Sequence, residues 1–277
     1  MNIDGHTELI AHIGYPTHSF KSPQIYNPYF EKEGVNAVVI PMGCKAEHYP
    51  DFLKSVFQLT NVRGALITMP HKVTTVALLD QVSPTVKVAG ACNAVKLDAQ
   101  GRLVGDMFDG AGFVRGIQRK GFDLVGKHVL VVGTGGVGSA IAASLAAEKI
   151  RSISLFDVQH AACEALAQRL VNEYPHIQVK TGSNDPEGHD LVVNATPLGM
   201  NVGDPLPMNV SRIAPEAFVG EVVMRTEMTA FLQAAQKRGC RVQLGSDMLF
   251  EQIPAYLEYF GLQTTTAEVL RTVARLG

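Results

Sequence analysis

The 277-residue sequence contains no tryptophan and is poor in charge, with 18% charged against 46% hydrophobic residues. That balance excludes a disordered or low-complexity chain, which has too few apolar side chains to build a core. No basic excess exists: lysine and arginine number 24, aspartate and glutamate 26, for a net charge of −2. A nucleic-acid partner is therefore not expected. No apolar run approaches the ~20 residues that a membrane span needs, so no membrane partner is expected either. The segment MNIDGHTELIAHIGYP lacks a basic start and an apolar stretch, and no signal peptide is read. The four cysteines, Cys44, Cys92, Cys163 and Cys240, stand far apart with no C-x-x-C pair. They predict neither a disulfide framework nor a zinc site, and the expected setting is a reducing cytoplasm. The nine histidines show no metal-ligand spacing, so no metal is expected. Only His71 falls in an informative segment, and then through its neighbours.

Glycine, by contrast, is plentiful at 26 residues, which suits an α/β protein with many tight strand-to-helix turns. The length suggests about two domains. Strand-like runs at 9–13, 35–41 and 64–68 alternate with helical patterns at 23–32 and 47–59. The alternation predicts βαβ units and a mostly parallel sheet. Residues 95–97 and 102–104 flank a turn at 98–101 and predict a hairpin at the sheet edge. A helical run at 110–120 and a polar turn at 121–127 follow. From His128 the pattern is cleaner: HVLVVG, a glycine-rich turn into an Ala-rich helix, SISLFD, a long amphipathic helix, IQVKT and DLVVNA. After Leu244 it is helical, at 248–260 and 265–276, and these helices are expected to pack on the first domain.

Gly133, Thr134, Gly135, Gly136, Val137 and Gly138 form G-x-G-x-x-G between a buried strand and a helix. The first glycine permits the tight turn, the second lets backbone approach a pyrophosphate, and the third lets helix and strand pack closely. The helix N-terminus then offers its free N–H groups to the phosphates. In this context the motif predicts a dinucleotide site. Asp157 ends the next strand, where a carboxylate can accept from both ribose hydroxyls of NAD and repel a 2′-phosphate. No arginine stands beside it, so NAD is favoured over NADP; the alternative is that Asp157 only caps the following helix. The stretch Gly121 to His128 nearly matches a P-loop, but His128 replaces the Mg²⁺-binding hydroxyl and the motif precedes its strand. ATP hydrolysis is therefore not read.

In the first half, GALITMPHK ends a strand at Thr68, turns at Pro70 and starts a helix at Lys72. Ligands collect at such strand ends in open α/β sheets. With it, GYPTHSFKSP, AGACNAV, GDMFDGAGF, VVGTGGVGSA, NATPLGM and GSDMLFEQ follow in an order that resembles the shikimate dehydrogenase family, over nearly the whole chain. The resemblance implies two α/β domains around a cleft: a substrate domain of residues 1–109 and 246–277, with a Rossmann domain, 110–245, inserted between them. It implies Lys72 as general acid/base with Asp109 paired to it. Thr68, Asn93 and Gln252 would bind ring hydroxyls, and Ser22, with Ser19 if the loop bulges, the substrate carboxylate. Beside the glycine turn and Asp157, Thr196, Pro197 and Gly245 would contact the cofactor. The implied reaction is reversible oxidation of shikimate or quinate to its 3-dehydro form. A small ring acid is the expected partner, and whether the chain forms a homodimer is left open.

Four departures from the family pattern stand out. Phe20 takes the place of the first serine of S-x-S, with Ser19 one residue early. Leu66 replaces the asparagine of N-V-T-x-P-x-K, Met107 and Phe108 replace Asn-Thr before Asp109, and no tyrosine stands near Met224. Each trades a polar for an apolar group. They are read as relaxed packing, or as a shift to another polyhydroxylated or amino-substituted ring acid such as aminoshikimate. A weakly catalytic NAD-binding regulatory protein is the third reading.

Overall fold

The computed structural model describes residues 3–276 and divides into two compact α/β units. Unit 1 holds residues 3–86, 90–108 and 253–276; unit 2 holds residues 87–89 and 109–252.

Unit 1 begins with β1 (Glu8–Gly14), α1 (Ser22–Glu33), β2 (Ala37–Gly43), α2 (Tyr49–Val56) and β3 (Val62–Ile67). Next come α3 (Lys72–Val76), β4 (Gln81–Val82), α4 (Pro84–Ala89), β5 (Ala94–Leu97) and β6 (Leu103–Asp106). The strands order as β2-β1-β3-β5-β6-β4. Strands β2, β1 and β3 run parallel; β5 and β6 form the expected antiparallel hairpin. The hairpin is not at the sheet edge, because the two-residue β4 pairs outside β6. So short a strand carries no periodicity to read. Helix α1 stops at Gly34, whose φ of 67° is the left-handed conformation that glycine adopts without a Cβ clash.

Unit 2 contains α5 (Asp109–Arg119), β7 (His128–Val132), α6 (Gly136–Ala147), β8 (Ser152–Phe156), α7 (His160–Glu173) and β9 (Gln178–Thr181). It continues through β10 (Leu191–Asn194), β11 (Phe218–Glu221), α8 (Ala230–Lys237) and β12 (Arg241–Gln243). All its strands are parallel, in the order β12-β11-β10-β7-β8-β9. Helices on both faces explain why Val129–Val132 and Leu191–Asn194 are wholly buried rather than alternating. This is the doubly wound order with its switch point beside β7, where chain excursions leave in opposite directions and ligands bind.

Helix α9 (Gly245–Tyr259) crosses the division between Gln252 and Ile253, and α10 (Ala267–Val273) belongs to unit 1, packed on α1. By contacts the first boundary therefore falls a residue before the expected 109/110, and the return falls about two helical turns after 246. The physical reason is the start of α9. A Cβ on Gly112 of α5 would lie 2.6 Å from the Met248 carbonyl oxygen and 2.7 Å from Gln252 Cβ, so α5 and that segment meet backbone to backbone. All four cysteines are buried free thiols. Among the described residues no helix is long and apolar enough to cross a membrane, and no group of His, Cys, Asp or Glu is placed to hold a metal ion.

Candidate active site

In unit 2 the glycine turn sits at the switch point, between the ends of β7 and β10. Gly133 has φ 99°, and a Cβ there would lie 2.7 Å from the Ala195 carbonyl carbon. A Cβ on Gly138 would lie 2.0 Å from the Gly133 carbonyl oxygen, so the third glycine is fixed by helix–strand packing. Gly135 and Gly136 are exposed, with no atom within 4 Å of an added Cβ. No side chain caps α6, so its first N–H groups face that open space. A pyrophosphate fits such a cradle: bare backbone donors, the positive end of a helix dipole, and room left by two missing side chains. Val137 follows on the first turn of α6, half-buried.

Asp157 is tied to this turn. Its Oδ2 accepts from the Thr134 amide at 2.7 Å and the Thr134 hydroxyl at 3.1 Å, and its Oδ1 accepts from the Gln159 amide at 2.9 Å. Burial pushes its pKa up, but these donated bonds outweigh burial and hold the carboxyl below its usual range. Both readings of Asp157 thus have a basis in the geometry: it stands beside the glycine turn, and it ties down Gln159, the N-cap of α7. The near-P-loop at 121–127 is a largely exposed turn with left-handed glycines at both ends.

Beyond β10, Asn194 organises the Thr196–Pro197 loop. Its Oδ1 accepts from the Thr196 hydroxyl at 2.6 Å and amide at 3.1 Å, while its Nδ2 donates to the Leu198 carbonyl at 3.0 Å. Its register partner is Glu221, fully buried, which accepts from the Thr229 hydroxyl at 2.8 Å and keeps Oε1 without a partner. Burial pushes the Glu221 pKa up to about 7, against the opposing effects of the Thr229 hydroxyl and the neighbouring Asn194. The sequence reading missed Glu221, although a glutamate ending the apolar strand FVGE is itself an anomaly. Gly245 is buried where a Cβ would meet the Val223 carbonyl oxygen at 2.1 Å.

In unit 1, Thr68, Lys72 and Asn93 come together at one end of the sheet. The Thr68 amide donates to the Ile13 carbonyl, and the Thr68 carbonyl accepts from the His71 amide. Lys72 opens α3, half-buried, and its carbonyl accepts from the Cys92 amide at 2.9 Å. Asn93, buried, accepts from the Ile67 amide through its carbonyl, and from the Phe108 amide at 2.9 Å through its side chain. Ser22 is half-buried at the start of α1; the Ser19 side chain lies outside the described residues. Asp109 and Gln252 belong to unit 2. Asp109 is buried at the start of α5, and Gln252 on α9 has a buried Oε1 without a hydrogen-bond partner.

His71 is a core residue. It is 1% exposed, stacks on Tyr49 with ring centroids 3.8 Å apart, and its Nε2 lies 2.8 Å from the Cys44 carbonyl. The histidine that feels the Lys72 charge is His12, on β1, which sequence reasoning passed over. The departures at 107 and 108 are packing: Met107 is buried, and Phe108 meets Tyr256 and Tyr259 edge-on at 4.9 and 5.4 Å. Met224, where the tyrosine is missing, is half exposed.

Comparison with known proteins bears on this geometry. Residues 12–95 match the family model described as the shikimate dehydrogenase substrate binding domain. The chain is 31% identical to a shikimate dehydrogenase (NADP(+)) of Rubrobacter xylanophilus over 280 aligned residues, covering 99% of this chain and 98% of the relative. The chain belongs to the shikimate dehydrogenase family. Among solved structures in the family, a Listeria monocytogenes shikimate 5-dehydrogenase in complex with shikimate and NAD superposes with TM-score 0.91 at 27% identity, covering 99% of this chain and 98% of that one. A quinate dehydrogenase of Corynebacterium glutamicum in complex with NAD gives 0.86 at 28%, covering 96% and 98%.

Proposed function

We propose that this protein is a nicotinamide-dependent dehydrogenase that interconverts a ring hydroxyl of shikimate or quinate and the corresponding ketone, with NAD as its preferred cofactor. The observation that carries the reading is the gathering of Thr68, Lys72 and Asn93 at the ends of adjacent strands, in a chain related over its whole length to shikimate dehydrogenases. Preference for NAD is supported by Asp157 on the Thr134 turn, whose charge opposes a 2′-phosphate. The R. xylanophilus relative carries NADP(+) in its name, and the two complexes above contain NAD.

Bound NAD would supply the acceptor for the hydride that leaves the carbinol carbon. Gly133, Gly135, Gly136, Val137 and Gly138 would hold its pyrophosphate, Asp157 its ribose, and Thr196, Pro197 and Gly245 its remaining contacts. Lys72 Nζ takes the hydroxyl proton during oxidation and returns it during reduction, with Asp109 as its proposed carboxylate partner. Thr68, Asn93 and Gln252 orient the ring hydroxyls, and the unpaired Gln252 Oε1 is an acceptor suited to one of them. Ser22, with Ser19, is the proposed carboxylate contact. The test is spectrophotometric: NADH formation with shikimate and with quinate, against NADPH formation under the same conditions. Absence of turnover with both substrates and both cofactors overturns the reading.

A further inference from the structure

Phe20 and Leu66, far apart in the sequence, converge on His12. Leu66 is the register partner of His12 across the β1–β3 pair, and the Phe20 ring stacks on the imidazole with centroids 4.1 Å apart and planes inclined by 26°. Gly14, two residues on and hence on the same sheet face, makes room for this. A Cβ there would lie 2.4 Å from Thr68 Cγ2 and 2.9 Å from Phe20 Cζ. One face at the end of β1 and β3 therefore carries an imidazole, a phenyl ring, a leucine and Thr68. The charge of Lys72 reaches the same imidazole.

His12 is 6% exposed, and its Nδ1 is sealed from solvent without a hydrogen-bond partner. An unpaired buried nitrogen costs free energy, and a side chain serving packing alone would avoid that cost as leucine. We propose that His12, framed by Phe20 and Leu66, is a specificity-determining residue whose imidazole, through the nitrogen other than the sealed Nδ1, receives one hydroxyl of the substrate ring, in a wall that gives a carboxylate no partner. The proposal rests on the reading that a hydroxylated ring binds beside Thr68 and Lys72. Burial first, and then the Lys72 charge, lower the His12 pKa to about 4, so the ring is neutral near pH 7. A neutral imidazole has one donor and one acceptor nitrogen, which suits a hydroxyl. Phe20 and Leu66 offer a carboxylate nothing in exchange for its water, whereas the hydrocarbon edge of a ring packs against them. The ligand class is a polyhydroxylated ring with a hydroxyl toward His12 and an uncharged edge on Phe20.

The experiment uses shikimate and its uncharged methyl ester with wild type, His12→Leu, His12→Asn and Phe20→Ser. Steady-state constants are measured with NAD and Kd by calorimetry. Wild type is expected to use the ester about as well as the acid, since Phe20 gives the carboxylate no partner and only the Ser22 side of the site would hold it. His12→Leu should raise KM and Kd for both ligands about tenfold, the worth of one hydrogen bond, with kcat within about threefold. His12→Asn, which keeps a donor and an acceptor, should recover part of that loss. Phe20→Ser should move the ester-to-acid ratio of kcat/KM toward the acid by about tenfold or more. Unchanged KM and Kd in His12→Leu, an unchanged ratio in Phe20→Ser, or no binding of either ligand to wild type overturns the proposal. Binding of both rings without turnover removes the dehydrogenase reading instead, and the Kd series across the variants then decides the role of His12.

Discussion

Replacing His12 by leucine should change how the stability of the protein depends on pH. In the folded protein the His12 pKa lies near 4, against 6.5 for a solvated histidine. Between those values the unfolded chain binds a proton that the folded chain refuses, so stability falls as pH falls through that window. At pH 5 the unfolded imidazole is almost wholly protonated and the folded one almost wholly neutral. The linkage relation then gives a loss of about 2 kcal/mol between pH 7 and pH 5 from this residue, approaching about 3 kcal/mol near pH 4. Leucine fills a similar volume under Phe20, binds no proton and leaves no unpaired nitrogen. Urea unfolding of both proteins at pH 7 and pH 5 isolates the term, because His71, His189 and the other titrating groups are common to both and cancel. Wild type should lose about 2 kcal/mol more than His12→Leu on acidification. Equal losses within about 0.5 kcal/mol would refute the account, since they would mean that the ring admits water and titrates normally.

Lys72→Ala should lower kcat by ~10²–10⁴, the usual worth of a general acid/base, and leave NAD affinity nearly unchanged by equilibrium titration. Asp157→Ser should bring the kcat/KM values for NAD and NADP together from a starting preference for NAD of about tenfold, while loosening the Thr134 turn that Asp157 holds. Gly138→Ala would place a Cβ 2.0 Å from the Gly133 carbonyl oxygen and must push helix and turn apart, so NAD binding by calorimetry should weaken far more than shikimate binding. Glu221→Gln tests a shift opposite in sign to that of His12. A folded pKa raised to about 7 from 4.5 makes stability fall as pH rises through that range, and urea unfolding of the variant should show a flatter profile between pH 5 and pH 8.

Local chemistry made the nucleotide half of this protein legible in its sequence. A glycine turn needs its glycines at fixed offsets, because Gly133 and Gly138 relieve contacts with the 195–196 backbone and with the turn itself while Gly135 and Gly136 leave the helix start bare, and Asp157 reaches the turn from the end of the adjacent strand. The alternation of apolar runs was sufficient for two α/β units, and the order of short motifs for the family. What the sequence could not supply was anything decided by pairing between distant strands. His12 is an unremarkable letter in ELIAHIG until β1 and β3 pair in register, setting Leu66 beside it, and the 17–19 turn lays Phe20 across its ring. His71 sat in the more suggestive motif and proved to be core, because Tyr49, from α2, stacks on it. Phe108 replaced a polar residue of the family pattern, yet only the return of α9 supplied the two tyrosines that make it a packing residue. Glu221 is perturbed because β11 is enclosed between β10 and β12 and its carboxyl is desolvated, with Thr229 and Asn194 opposing the shift. Burial and register depend on which segments meet, and a side chain acquires its protonation state and its role only when the last of them arrives.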